Sequence, residues 1–245
     1  MKDTLRIAHC ADIHLDGSAQ ARDFYREAFV AALAEMRAHG PDMMLIAGDL
    51  FDSNRASAET IAWAMDTLAV QRFPIVMIPG NHDCVDGGSI FLRHDFNRIP
   101  NVRMLAHPEG EMTRLQELGV AAWGKGMVEH HPGYSPLGGC PPRPDGCRWY
   151  LALGHGLFVP HGGQTDRSSP IHMREIEAAE CDYIALGHHH AAMEIVTPRT
   201  RAAFSGSPTD PLGRGATYII ADLATDRAPS VAIHAIAAAA DWPGF

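Results

Sequence analysis

Five segments of this chain have residue types and an order that could do chemistry: Asp12-Ile13-His14, Gly48-Asp49, Gly80-Asn81-His82-Asp83, Gly154-His155 and Gly187-His188-His189-His190. Together they offer two carboxylates (Asp12, Asp49), one amide (Asn81) and four imidazoles (His14, His155, His188, His190). These are the oxygen and nitrogen donors that divalent first-row metals accept. Extended backbone sends residues i and i+2 to the same side, which pairs Asp12 with His14 and His188 with His190 and turns His189 away. A carboxylate can bridge two cations, one per oxygen. Metals held about 3.5–4 Å apart in this way can share a hydroxide that attacks phosphorus in line with the leaving oxygen. The departing oxygen then needs a proton. His82, beside Asn81, is placed to be that general acid, with Asp83 holding its ring in the right tautomer. The glycines at 48, 80, 154 and 187 read as sharp turns at strand ends.

Each segment alone has a bland reading, as a strand-end turn, a capped loop or a solvated histidine run. The combined reading rests on their order and on the apolar runs that precede most of them. Leu5–Ala11, Met43–Ala47 and Pro74–Ile78 read as buried strands that end at Asp12, at Gly48-Asp49 and at Pro79–Asp83. Gln20–His39 carries Phe24, Phe29, Leu33 and Met36 at three- and four-residue spacing, a helix stopped by Gly40-Pro41. Ala58–Val70 is a second amphipathic helix, with Ser57 as its cap. Alternating strands and helices predict a parallel sheet with right-handed crossovers. The carboxyl ends of such strands are where open α/β sheets bind substrates.

The second half reads as Met104–Leu105, Met112–Leu115, Val120–Trp123, Trp149–Leu153 and Tyr183–Leu186 in short strands. Glu194–Val196, Ala202–Phe204, Ala216–Ala221 and Val231–Ile236 follow as a meander. Only Ile171–Glu180 reads as helical there. Gly126–Gly146, rich in Gly, Pro and His, is expected to be a long surface loop, and the tail Ala237–Phe245 to be loosely attached. With no repeat and no linker, residues 1–245 are expected to form one domain.

Apolar residues make up 46% of the chain and charged residues 20%, a globular composition. No run of about 18 apolar residues predicts a membrane span, and the N-terminus does not read as a signal peptide. The net charge of −9, with Lys2 and Lys125 the only lysines, argues against a broad nucleic-acid-binding face. It does not argue against a phosphate-containing substrate, because two bound divalent cations would add four positive charges at one spot. Five cysteines, none in a C-x-x-C, predict reduced thiols and a cytoplasmic protein. Cys140 and Cys147 flank a Pro/Gly-rich loop and read as ordinary thiols.

The ordered set D-x-H, G-D, G-N-H-D, G-H, G-H-x-H, running from Asp12 to His190, resembles the calcineurin-like metallophosphoesterases. That resemblance implies a four-layer α/β/β/α sandwich with a dinuclear centre between two sheets. It implies one metal on Asp12, His14, Asp49 and His190, and another on Asp49, Asn81, His155 and His188, with Asp49 bridging and His82 facing the scissile phosphate. Asp12-Ile13-His14-Leu15, Gly48–Asp52 and Phe204–Pro208 further resemble the SbcD-type DNA-repair exonucleases, which partner a coiled-coil ATPase. On that branch Ser205–Pro208 would form a tight turn near the site, with Ser205 and Ser207 as substrate contacts; the other reading is a simple hairpin turn. Asp52 stands where some of those nucleases carry a DNA-orienting histidine. The chain ends soon after Val231–Ile236, without the family's DNA-capping and ATPase-binding regions, so an ATPase partner is not expected.

Among other candidates, Asn54 and Arg55 could reach a substrate phosphate or could be a capping residue and a surface arginine. His130, His131 and His161 lie in loops and could line a substrate rim, but are expected to be solvated. Trp123, Trp149, Phe158 and Tyr183 are expected in the core, and His9 buried and hydrogen-bonded. The expected activity is hydrolysis of phosphodiesters, either as a compact exonuclease or on small molecules. Manganese, iron and zinc suit the donors alike. A non-catalytic scaffold on the same fold is the rival, and it predicts lost ligands, whereas the set is intact.

Overall fold

The computed structural model of the chain describes residues 2–17, 22–210 and 212–241. The first half contains β1 (Thr4–Cys10), α1 (Arg22–Ala38), β2 (Met43–Ala47), α2 (Ala58–Ala69), β3 (Ile75–Ile78), α3 (Ile90–Arg93) and β4 (Val102–Met104). The second half contains β5 (Glu111–Leu115), β6 (Val120–Gly124), β7 (Trp149–His155), β8 (Leu157–Val159), β9 (Pro170–His172), α4 (Met173–Ala178) and β10 (Tyr183–Gly187). It continues through β11 (Met193–Val196), β12 (Arg201–Phe204), β13 (Thr217–Ala224) and β14 (Arg227–Ala235). The expected start of the first helix at Gln20 lies outside the described residues. Ser57 caps α2 as expected, its hydroxyl accepting the Thr60 N–H.

Two six-stranded sheets result, with orders β14-β13-β1-β2-β3-β4 and β11-β12-β10-β7-β6-β5. Strands β1 to β4 are mutually parallel, as are β6, β7, β10 and β12. All their carboxyl ends therefore point one way within each sheet. Alternate residues explain the packing. Leu5, Ile7, Leu45 and Val76 of the first sheet cluster with Leu151, Leu153, Tyr183 and Ala185 of the second. The opposite face of the first sheet (Ala8, Met44, Ile46, Met77) packs on Phe29, Leu33 and Met36 of α1 and on Ile61 and Leu68 of α2. The outer face of the second sheet (Tyr150, Ala152, Ile184, Leu186) packs on Ile176 of α4 and on Leu137. Strands buried on both faces read as continuous apolar runs, which is why β2, β3, β7 and β10 are visible in the sequence. This is the α/β/β/α sandwich, its fourth layer consisting of one short helix and the 125–148 segment.

Three expectations change. The end of the chain is not a meander: β11 and β12 belong to the second sheet, while β13 returns to the first and pairs antiparallel with β1. Residues 171 and 172 of the expected 171–180 helix belong instead to β9, which pairs with β8 in a small separate sheet, and the helix spans only Met173–Ala178. The tail is held through Ala237–Asp241, a 3-10 helix whose first N–H donates to Glu35; residues 242–245 lie outside the described ones. The expected core aromatics hold, with Trp123, Trp149 and Tyr183 buried and Phe158 partly so. His9 is buried with Nδ1 2.8 Å from the Tyr183 hydroxyl. Among the described residues no helix is long and apolar enough to cross a membrane.

Candidate metal centre

The five segments all emerge at the carboxyl ends of β1, β2, β3, β7 and β10, and the sandwich brings them together. The turns after β1 and β2 interlock through backbone. Asp12 N–H donates to Gly48 O at 3.1 Å, and the Ile13 and His14 N–H groups both donate to Asp49 O at 2.8 and 3.1 Å. His188 N–H donates to both carboxylate oxygens of Asp12 at 3.0 Å, tying the second sheet to the first. Asp12, His14, Asp49 and His188 all adopt positive φ, four of the seven non-glycine residues that do so among the described ones. Such conformations are costly for residues with a Cβ and concentrate at functional sites.

The glycines act mainly through space. A Cβ at Gly80 would sit 2.1 Å from Asp49 Oδ1, and one at Gly187 would sit 2.1 Å from Ala47 O. Only Gly48, at φ 94°, also needs the left-handed region. Gly154 lies within β7 and makes no turn, which corrects the reading of all four as turn glycines.

Two groups of donors converge. Asn81 Oδ1 lies 2.9 Å from His155 Nε2 and 2.8 Å from His188 Nδ1. His14 Nε2 lies 3.2 Å from His190 Nε2, and His190 Nε2 lies 3.8 Å from Asp12 Oδ1. Asp49 stands between the groups, its Oδ2 3.3 Å from His155 Nε2 and 3.9 Å from His14 Nε2. Its Oδ1 accepts the His82 N–H at 2.8 Å, so Asp49 faces both groups through one oxygen rather than one oxygen for each.

The donor chemistry fits cations. His155 Nδ1 lies 2.8 Å from Ala47 O, a pure acceptor, so this nitrogen carries the hydrogen. The bare Nε2 then faces Asn81 Oδ1 and Asp49 Oδ2, both acceptors. Only a proton on Nε2 or a metal ion satisfies that arrangement. Burial works against charge on His155, but Asp49 overrides it and holds the imidazole at about 9. Burial, then His155, pushes His188 down to about 3, and burial, then His14, pushes His190 down to about 4. Burial also opposes the Asp49 charge, yet His155 and then His14 keep that carboxyl below its usual range. Burial pushes Asp12 up. The Nδ1 of His190 is buried without a hydrogen-bond partner. Asp12–His14–His190 and Asp12–Asp49–His155 each bring their donor atoms within 4.8 Å of one another.

Supporting residues depart from expectation. Asp83 does not touch the His82 ring. It is fully buried and accepts the Gly80 N–H at 2.7 Å and the Phe51 N–H at 3.1 Å, bracing two donor-bearing turns. The ring is held instead by the Asp52 carbonyl, 2.7 Å from His82 Nδ1. The Asp52 carboxylate lies 3.2 Å from His14 Nδ1, so it orients a histidine and is not free for substrate. Ser205 and Ser207 are fully buried and cannot touch substrate. The Ser207 hydroxyl donates to Asp12 O at 2.7 Å and so fixes the first turn. Asn54 spends its amide on Cys84 O and on the Ile90 N–H, clamping loops, and Arg55 is exposed and does not line the cleft. Cys140 lies beside Tyr150 and Cys147 beside Pro144, with no disulfide.

A cleft of about 380 Å³ opens over the donors, lined by Asp49, Asn81, His82 and His188–His190 together with Leu157, Arg167, Leu212 and Arg214. His189, expected to turn away, lies at its edge. His130 is half-buried rather than solvated, its ring 5.2 Å from that of His188. His131 and His161 are exposed as expected. Arg167, Leu212 and Arg214 carried no sequence signal, because each is a single residue in a loop without periodicity, and Leu157 opens the three-residue strand β8.

The architecture has solved counterparts. TT1561 of Thermus thermophilus superposes with a TM-score of 0.61 at 13% identity, over 95% of this chain and 99% of that one. GAP50, the anchor in the inner membrane complex of Plasmodium, superposes at 0.55 with 13% identity, over 96% and 86% of the two chains. At such identities the likeness speaks for the fold alone. The model of the calcineurin-like phosphoesterase family matches residues 5–192, the stretch from β1 through the last of the five donor turns, and the chain belongs to that family.

Proposed function

We propose that this phosphoesterase is a binuclear metal-dependent phosphodiesterase formed by the chain as one domain, and that its ligands are the two converging donor groups. One site takes Asp12, His14, Asp49 and His190; the other takes Asp49, Asn81, His155 and His188. The observation that carries this reading is Asp49 Oδ2, which faces His14 of one group and His155 of the other. Two divalent cations, when bound, supply a nucleophile from water at neutral pH and positive charge against the phosphoryl oxygens.

The chain's own residues do the rest. His82 Nδ1 faces a carbonyl, so it keeps its hydrogen, and Nε2 is the nitrogen free to hand a proton to the leaving oxygen. Its side chain is 42% exposed at the cleft, within reach of a substrate. Asp52 orients His14, and Asp83 and Ser207 hold the turns. The intact donor set disfavours a non-catalytic scaffold, a reading that a shared fold alone does not decide. Both substrate readings, a nucleic acid end and a small diester, fit an open cleft.

The test pairs two variants on metal-stripped protein reloaded with manganese. Asp49→Ala is expected to lose metal and bis-p-nitrophenyl phosphate hydrolysis together. His82→Ala is expected to keep metal and to slow turnover by roughly 10²–10⁴-fold on alkyl diesters, with a smaller loss on nitrophenyl esters, whose leaving group needs no proton. Full metal loading in Asp49→Ala would refute the ligand assignment. Unchanged alkyl-diester turnover in His82→Ala would refute the acid.

A further inference from the structure

Two guanidinium groups stand on the rim of the cleft and have no part in the chemistry above. Arg167 comes from the segment between β8 and β9, and Arg214 from the segment between β12 and β13; both line the cleft with Asn81, His82 and His188. Among the described residues neither guanidinium has a hydrogen bond or ion pair. Asp210, the carboxylate nearest Arg214 in sequence, is spent on backbone: it accepts the Arg214 and Gly215 N–H groups at 2.5 and 2.9 Å.

The chain carries −9, yet the Asp, Glu, Lys and Arg residues that line the cleft are two arginines without ion partners and one carboxylate, Asp49. The metal ligands and His82 suffice for a single scissile phosphate. Two further cations without ion partners on the same rim are open to an anion, and a guanidinium binds phosphate oxygens in bidentate fashion. Leu157 and Leu212, the latter 59% exposed, are the apolar side chains of the same lining. We propose that the cleft selects phosphodiesters carrying a second phosphate, held by Arg167 and Arg214, with the organic part against Leu157 and Leu212. This inference rests on the phosphodiesterase reading.

The test compares thymidylyl-thymidine with its 5′-phosphorylated form, which differ only in the second phosphate. Bis-p-nitrophenyl phosphate serves as the common control. The native protein is expected to favour the phosphorylated dinucleotide by about tenfold or more in kcat/KM, an effect the size of one charge-assisted contact. The Arg167→Ala/Arg214→Ala double variant is expected to lose that preference, and added salt to weaken it in the native protein. Both side chains are exposed, so metal content and melting temperature are expected to stay near native values. A longer 5′-phosphorylated single strand separates the sources of such a phosphate: preference shared by the strand points to a nucleic acid end, and preference confined to the dinucleotide points to a small molecule. Equal use of the two dinucleotides, or a preference surviving in the double variant, overturns the inference while bis-p-nitrophenyl phosphate turnover leaves the phosphodiesterase reading standing. Loss of all turnover in the native protein brings down that reading and the inference together.

Discussion

At the scale of single residues, the division of labour around the histidines follows from which ring nitrogen each neighbour claims. The Ala47 carbonyl takes His155 Nδ1, the Asp52 carboxylate takes His14 Nδ1 and the Asp52 carbonyl takes His82 Nδ1. In each case Nε2 is left for the centre, and partners of this kind fix the tautomer a metal ligand needs. Asp52 thus braces two histidines through different atoms, and substitution separates them. Asp52→Ala keeps the carbonyl that holds His82 and removes the carboxylate behind His14. Metal affinity is expected to fall by about 10–100-fold, with turnover recovering at saturating manganese. Chelator competition combined with rate measurements checks this; unchanged affinity would show that the His14 contact is idle. Adjacency in sequence misled the reading of Asp83. Next to His82 it looks like a ring partner, but in the folded turn its oxygens point back at Gly80 and Phe51. Ser205 and Ser207 misled in the same way, since a turn motif does not reveal that its hydroxyls face inward.

At the scale of elements, the site depends on how closely β2 and β10 approach across the two sheets. Gly187 ends β10 against the carbonyl of Ala47, which ends β2. An added methyl there meets backbone, which cannot rotate away. Gly187→Ala is expected to cost about 1–3 kcal/mol by overpacking and to lower metal content, whereas Gly87→Ala, in open space, is expected to do neither. Denaturant unfolding and metal analysis of the two variants decide it; a silent Gly187→Ala would mean that the sheets can part without harm. The donor-bearing strands were legible because both faces of β2, β3, β7 and β10 are buried, which leaves unbroken apolar runs that end at a donor segment. The return of β13 to the first sheet was not, because pairing between Leu5 and Leu223 is a choice of partner across the whole chain that local pattern does not encode. The arginines of the rim were invisible for a related reason: nothing in the loops around Arg167 and Arg214 marks which way they fold.

At the scale of the whole molecule, the centre links metal, protons and stability. The folded pKa of His155, about 9, lies above its ordinary 6.5. In metal-free protein the charge on His155 therefore stabilises the fold fully below pH 6.5, and that contribution is lost as pH rises through 9. His14, also raised, acts in the same direction. A bound cation displaces these protons, so metal affinity is expected to increase over the same interval. Melting temperatures of stripped and manganese-loaded protein across this range are expected to diverge as pH rises; parallel curves would contradict the linkage. An acidic protein thus holds a centre that is cationic when loaded, with an open cleft and an arginine rim, and its function is set there rather than by the overall charge. The most direct test titrates manganese into stripped protein while following bis-p-nitrophenyl phosphate hydrolysis. The account predicts no turnover without metal and a plateau at two ions per chain; hydrolysis by the stripped protein, or a plateau at one ion, would contradict it.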